Sequence, residues 1–463
     1  MSMNRRKFLQ TGGRLALGAG AAALLPRRAR AQSVADVENA ELVTITEDGA
    51  VITWESLQAT EGLVAYGPSA DRLDSEVGDP AGRTRYHRVE LTGLPPGQPV
   101  HYVIRADGAD ADPVEYSPGV FDTLGPPPGT YLFTFATITD MHVGLTSAGA
   151  VSGLGDFVPV ECPLVGADCW QVANQAVVEA INKSQAEFTL VKGDLSHEYA
   201  SEQFEAARSC LEQLEKPYHP VRGNHDRQGE RPEDYYKKVM QQDVTHYAFS
   251  HQGARFAILD SSNLATGFPE VGEEQWVWLA DQLDNLGDER LFVVLHHPVT
   301  DEASVIFTLF TEDQQRLFSL LEREKNVAAI LSGHSHRNIV THQPELGDVP
   351  CIETACSIHY PGGYNLYRVY TGGFMQTYHK INGEQWRQWE EAGRQMYNGD
   401  AQELLLGSSS DRNFVCQFMR PLPEPETPQE GCACGRAPHG GGLALGATAL
   451  AAMKLAPFTR KEK

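Results

Sequence analysis

Five short apolar runs in this chain each lead to residues that can hold a metal ion or move a proton. Residues 131–139 lead to Asp140-Met141-His142 and residues 188–191 to Gly193-Asp194. Residues 217–221 lead to Gly223-Asn224-His225-Asp226, residues 291–295 to His296-His297-Pro298, and residues 327–331 to Gly333-His334-Ser335-His336. Carboxylate, carboxamide and imidazole together form a mixed oxygen and nitrogen donor set that accepts Mn, Fe, Zn or Co. Alternate residues of a strand or extended end point to one side, so Asp140 with His142, and His334 with His336, can face one site. Gly193, Gly223 and Gly333 leave space where backbone must come close. Alone, G-N-H-D reads as a polar turn with a capping Asp. In the company of four similar runs it predicts a donor cluster at the C-terminal ends of strands.

Helical patterns lie between these runs. Residues 169–185 carry Val172, Ala176, Val177, Ala180 and Ile181 at helical spacing, and residues 203–214 and 273–283 behave alike. The alternation predicts an α/β domain over residues 131–395, with Trp276 and Trp278 as packing residues. Residues 143–168 form a long insertion, either a pocket rim or a solvated loop. Ahead of a stiff Gly/Pro linker at 125–129, residues 36–125 hold short alternating segments, among them 41–45, 50–55 and 62–66. Their turn-separated spacing predicts a small all-β sandwich with Trp54 in its core.

The 463 residues carry a net charge of −23, with 41% hydrophobic and 21% charged residues, the profile of a globular protein of two to three domains. The first 31 residues hold seven Arg or Lys and no acid; taking these from the 38 basic residues leaves 31 against 61 acids, about −30. Such a surface repels polyanions and argues against general nucleic-acid binding. Asn4-Arg5-Arg6-Lys7-Phe8-Leu9, a Gly/Ala/Leu run at 12–25, and Ala29-Arg30-Ala31 predict an export signal over residues 1–31. The paired arginines resemble a twin-arginine signal, an ordinary secretory signal being the alternative. Either route delivers the mature chain to the periplasm, the cell surface or the medium. The eight cysteines suit an oxidising destination; Cys162 with Cys169, and Cys351 with Cys356, are each spaced to close a small loop. Residues 420–463 pass from a Pro/Glu spacer through Cys432 and Cys434 to an apolar run of 14 residues and a basic end. That order resembles bacterial C-terminal sorting signals of the MYXO-CTERM class, which implies membrane or cell-surface attachment, although the run is shorter than the ~18–20 residues that span a bilayer. A disordered tail is the other reading.

The five motifs, D-M-H, G-D, G-N-H-D, H-H-P and G-H-S-H, resemble in type and order the blocks of the calcineurin-like metallophosphoesterases, over residues 131–385. The resemblance implies an α/β metallophosphoesterase fold, a β-sandwich core flanked by helices, with two divalent metal ions. Asp140, His142, Asp194 and His336 would hold one ion and Asp194, Asn224, His296 and His334 the other, with Asp194 bridging. It further implies hydrolysis of small-molecule phosphate mono- or diesters by in-line attack of metal-bound hydroxide. His225 would protonate the leaving oxygen or hold the phosphoryl group, and Asp226 would orient His225 or cap a helix. His297 reads as outer support. Residues 91–102 resemble the tyrosine-corner region of fibronectin type III-like domains, and a similar domain precedes the catalytic one in purple acid phosphatases. Three residues after Asp194 the chain departs from the pattern. His197 stands where purple acid phosphatases have a tyrosine and serine/threonine phosphatases an aspartate, which argues against both assignments; His197 reads first as a substrate contact, with an extra ligand or a surface residue as the alternatives. The competing reading is a surface binding protein with a structural metal site and no hydrolytic activity; the intact ligand set argues against it.

Overall fold

The computed structural model describes residues 35–149, 157–227, 233–263, 267–300 and 308–424. The export signal, part of the insertion, and all but the first five residues of the sorting segment lie outside these. No helix among the described residues is long and apolar enough to cross a membrane.

The N-terminal region is all-β. Two of the short segments read from sequence lie on one 19-residue strand, Gly49–Gly67, which pairs antiparallel with the 18-residue strand Ser75–Thr92. The register slips between Glu55 and Thr60 and again between Glu61 and Leu63, and such bulges bend a strand. The first half of the long strand therefore pairs with Glu38–Ile45 and the second with Pro99–Ala106. The two halves enclose Leu42, Ile52, Trp54, Val64, Leu91, Tyr102 and Phe121. Trp54 stacks on His87 at 4.6 Å between ring centroids, and the Tyr102 hydroxyl meets Ser117 Oγ at 2.9 Å.

From Tyr131 onwards the chain builds two six-stranded sheets. The first runs Tyr218–Pro220, Thr189–Val191, Tyr131–Ile138, Tyr364–Tyr370, Gly373–His379, Phe414–Gln417. The second runs Tyr247–His251, Ala254–Ile258, Arg290–Val294, Val327–Ser332, Pro350–Glu353, Ile339–His342. Phe133, Phe135, Phe188, Phe256, Phe292, Tyr367 and Phe374 from both sheets share one buried cluster. Phe135 meets Phe256 at 5.2 Å and Phe292 at 5.6 Å edge-on across the layers, contacts that add to what area burial supplies. Helices Cys169–Asn182, Ser201–Leu211 and Glu384–Gly393 cover the outside of the first sheet, and Glu273–Asp284 with Thr311–Leu321 cover the second. The first sheet continues beyond residue 395, since Phe414–Gln417 pairs with Gly373–His379 as an edge strand. Its domain therefore ends later than the sequence patterns place it. Within each sheet the strands that precede the five motifs run parallel, so their C-terminal ends meet at one edge.

Cys162 and Cys169 form a disulfide that ties the insertion to its following helix. Cys351 and Cys356 are free and buried, so the second small loop does not form.

The first strand of the N-terminal region is buried on both faces. Val43 packs with Ala355 and Tyr378, and the Thr44 hydroxyl donates to the Tyr378 carbonyl at 2.6 Å. Arg412 and Asn413 donate to the carbonyls of Leu42 and Val43 at 2.8 and 2.9 Å. Between these contacts the Glu41 carboxylate lies against Lys380 and within 2.7 Å of Arg394.

Candidate metal centre

The site forms where the parallel strands stop. Asp140, His142, Asp194, His334 and His336 all have positive φ, of 55°, 38°, 51°, 73° and 58°. A non-glycine residue held there costs about 1–3 kcal/mol, so the surrounding structure fixes five strained residues at one place. Alternation along an extended end is therefore not what aims them: the first strand ends at Ile138, and Asp140 and His142 lie in the turn beyond it. Two glycines make the packing of these turns feasible. A Cβ on Gly193, whose φ is 99°, would lie 2.4 Å from His296 Nδ1, and one on Gly223 would lie 2.2 Å from Asp194 Oδ1.

Two donor clusters result. The ligand atoms of Asp140, His142 and His336 lie within 4.8 Å of one another, as do those of Asp194, His296 and His334. Asp194 faces both, with Oδ2 3.3 Å from His296 Nε2 and 3.7 Å from His142 Nε2. Asn224 Oδ1 joins the second cluster, 3.0 Å from His296 Nε2.

Whether cations fit follows from the nitrogens. His296 Nδ1 donates to the Lys192 carbonyl at 2.8 Å, so its Nε2 presents a lone pair inward, where His334 Nδ1 stands 3.1 Å away. His336 Nδ1 meets His359 Nε2 at 2.9 Å, and His336 Nε2 lies 3.2 Å from His142 Nε2 and 3.2 Å from Asp140 Oδ1. Imidazole lone pairs converging this closely beside buried carboxylates require a positive charge between them. The electrostatics agree. Burial pushes Asp140 and Asp194 up, but the neighbouring histidines outweigh it and hold both well below the usual carboxylate range. Burial lowers His296, yet Asp194 overrides it and lifts the ring to about 9, whereas burial and His296 push His334 down to about 3. The cluster thus recruits a proton to balance its carboxylates, and divalent cations on the same lone pairs supply that balance.

His225 donates its amide to Asp194 Oδ1 at 2.8 Å, and its Nδ1 lies 2.7 Å from the His197 carbonyl, which assigns the Nδ1 proton and leaves the lone pair on Nε2. The His197 carbonyl is thus what orients the His225 ring. The carboxylate of Asp226 accepts from the amides of Leu195, Ser196 and Gly223 at 3.2, 3.0 and 3.0 Å, tying the G-D loop to the G-N-H-D loop. Burial and Asp194 push it up to about 6, against those amides. No helix starts at it among the described residues, so Asp226 acts as a backbone clasp. His297 is engaged at both nitrogens, with Ser261 Oγ at 2.8 Å and the Gly267 carbonyl at 3.3 Å, and supports the site from outside. His197 stacks parallel to His225 at 5.5 Å and borders His142, so His142, His197 and His225 form a third imidazole group at the rim.

Three participants escape a reading by motif. Lys192 is fully buried, with Nζ 2.6 Å from Thr354 Oγ1 and its charge near Asp140. Cys356 and His359 stand behind His336. Lys192 adjoins a motif and could have been noticed there; the other two lie in a stretch with no motif.

Residues 133–338 match the family model described as calcineurin-like phosphoesterase. The chain is 27% identical over 176 residues to the glycerophosphodiester phosphodiesterase GpdQ of Enterobacter lignolyticus, covering 36% of this chain and 63% of that protein. It is 25% identical over 181 residues to the 3',5'-cyclic adenosine monophosphate phosphodiesterase CpdA of Escherichia coli, covering 38% and 64%. The chain thus spans less than two thirds of the length of these curated relatives. Among solved structures, the purple acid phosphatase PPD1 of yellow lupin aligns at 14% identity with a TM-score of 0.38, over 74% of this chain and 71% of that one.

Proposed function

We propose, from the match of residues 133–338 to the calcineurin-like phosphoesterase model, that the chain is a binuclear-metal hydrolase of small-molecule phosphate esters. The observation that carries this reading is the position of Asp194, whose Oδ2 faces the imidazoles of both donor clusters at 3.3 and 3.7 Å. Asp140, His142 and His336 would hold one cation with Asp194, and Asn224, His296 and His334 the other. Two divalent ions there would supply Lewis acidity towards the phosphoryl oxygens and bring the pKa of water towards neutrality. With two carboxylates among the ligands the site carries about two positive charges, which selects an anionic ester.

The rest of the chemistry falls to the chain. His225, held by the His197 carbonyl, presents Nε2 to the rim, where a proton on it would reach the leaving oxygen. The parallel His197 ring beside it would confine the phosphoryl group. Asp226 keeps both loops in place through three backbone amides. The relatives carry phosphodiesterase names, so diesters head the test panel.

Protein reconstituted in turn with Mn, Fe, Zn and Co is expected to hydrolyse bis(p-nitrophenyl) phosphate or p-nitrophenyl phosphate. Asn224→Ala should slow it at least about 10²-fold, since even the outer partners of metal ligands cost 10–100-fold. Absence of turnover with every metal would leave a binding role in place of this one.

We also infer that the protein acts outside the cytoplasm, from Arg5-Arg6 and the apolar run behind them. Changing Arg5 and Arg6 to lysine is expected to hold the precursor in the cytoplasm; undiminished export would reject the twin-arginine route.

A further inference from the structure

The two histidines that face Asp194 and Asp140 are backed in different ways. His296 rests its outer nitrogen on a backbone carbonyl within the same domain. His336 rests its outer nitrogen on a side chain, His359, in the loop between the strands Pro350–Glu353 and Tyr364–Tyr370. With His336 Nε2 turned to Asp140, its proton sits on Nδ1 and is donated to His359 Nε2 at 2.9 Å. His359 must then carry its own proton on Nδ1, which lies 3.1 Å from the Tyr360 carbonyl. The Tyr360 carbonyl thereby sets the tautomers of both rings, with Cys356 Sγ a second neighbour of His359 Nδ1 at 3.3 Å.

That position is anchored from the N-terminal region. The Tyr360 hydroxyl donates to Glu41 Oε1 at 3.0 Å, and the Arg394 guanidinium, itself bound to Glu41, lies 4.4 Å above the Tyr360 ring. Val43, two residues along the same strand, packs on Ala355 at the start of the loop. Trp389 Nε1 donates to the Ile358 carbonyl at 2.7 Å. Glu41, Tyr360 and His359, all buried, therefore form a continuous path from one domain to the half-buried His336 of the other.

We propose that His359 is a positioning residue for the metal ligand His336, and that Glu41 of the N-terminal region takes part in the metal centre by anchoring Tyr360. The proposal rests on the two-ion reading above. It makes the N-terminal region part of the site's supporting shell rather than an appended module. Outer partners of metal-bound histidines fix ring orientation and tautomer, and their loss weakens the ion they serve.

The test is a manganese titration of the full chain that resolves two dissociation constants, with circular dichroism as a check on folding. His359→Leu fills the space without an acceptor, and His359→Gln restores an acceptor oxygen. Tyr360→Phe removes only the hydroxyl and keeps the ring under Arg394. His359→Leu is expected to weaken one ion of the two by about 10–100-fold and spare the other. His359→Gln should recover most of that loss, and Tyr360→Phe should show a smaller loss at the same ion. Two constants unchanged in His359→Leu would overturn the proposal, and so would a His359→Gln no better than His359→Leu. Tyr360→Phe indistinguishable from wild type would remove Glu41 from it. Wild-type protein that binds fewer than two ions would instead sink the binuclear reading.

Discussion

Asp194→Asn is expected to lower kcat/KM on a phosphodiester by at least about 10³-fold, roughly 4 kcal/mol of transition-state stabilisation. The size follows from position. Asn224 and His334 each stand in one donor cluster, whereas Asp194 Oδ2 faces both His296, of one cluster, and His142, of the other. Removing its charge would leave Asp140 as the one carboxylate facing the two divalent ions proposed there, so their mutual repulsion would rise and one ion would be lost. The substitution keeps the shape of the side chain and an oxygen able to accept the His225 amide, now at 2.8 Å from Oδ1, so the loop carrying the G-N-H-D motif stays in place. Metal content by mass spectrometry should fall from two ions towards one while the far-ultraviolet circular dichroism spectrum is unchanged. A variant that kept both ions and turned over within tenfold of wild type would show that Asp194 does not bridge.

The donor set was legible because each member follows an apolar run, and a strand that ends in Asp or His at a parallel edge delivers it to the same place. The aim of those donors was not. Asp140, His142 and His336 reach the site through left-handed backbone, which neither composition nor spacing reports in residues that rarely adopt it. The role of Asp226 was hidden for a related reason. Its partners are backbone amides at 195, 196 and 223, and amides leave no mark in a sequence. In the N-terminal region, turn residues marked the segments well, yet Gly49–Gly67 absorbs two of them because bulges bend a strand without ending it. The Glu41–Ile45 stretch alternates as a half-exposed strand would, but its second face is covered by the two-sheet domain. Only contacts more than 300 residues apart in sequence disclose that, as between Glu41 and Tyr360, |i−j| = 319.

The same interface carries the largest expected effect on stability. Glu41→Gln is expected to lower the free energy of unfolding in urea by about 3–5 kcal/mol near pH 7, the cost of breaking a buried ion pair from one side. The carboxylate is fully buried and accepts from Lys380, Arg394 and the Tyr360 hydroxyl together, so an amide in its place leaves two buried cations under-compensated. Glu390 and Glu391 balance Lys380 and Arg394 in part, which keeps the loss at the scale of one pair rather than of the whole network. The pH dependence has a definite sign. Burial pushes the Glu41 carboxyl up, but Arg394 and Lys380 outweigh it and hold it far below its ordinary value of 4.5. A carboxyl depressed in the folded state contributes its full stabilisation above the unfolded value and loses it as the pH falls below that value. Wild type and Glu41→Gln should therefore differ by a constant amount from about pH 8 to about pH 6, and the gap should close progressively below about pH 4.5. Because glutamine does not titrate, that closing gap isolates Glu41 from the other acids. A gap that widened towards acid, or an unfolding free energy within about 1 kcal/mol of wild type near pH 7, would mean that the two domains are joined by apolar packing around Val43 and not by this charge.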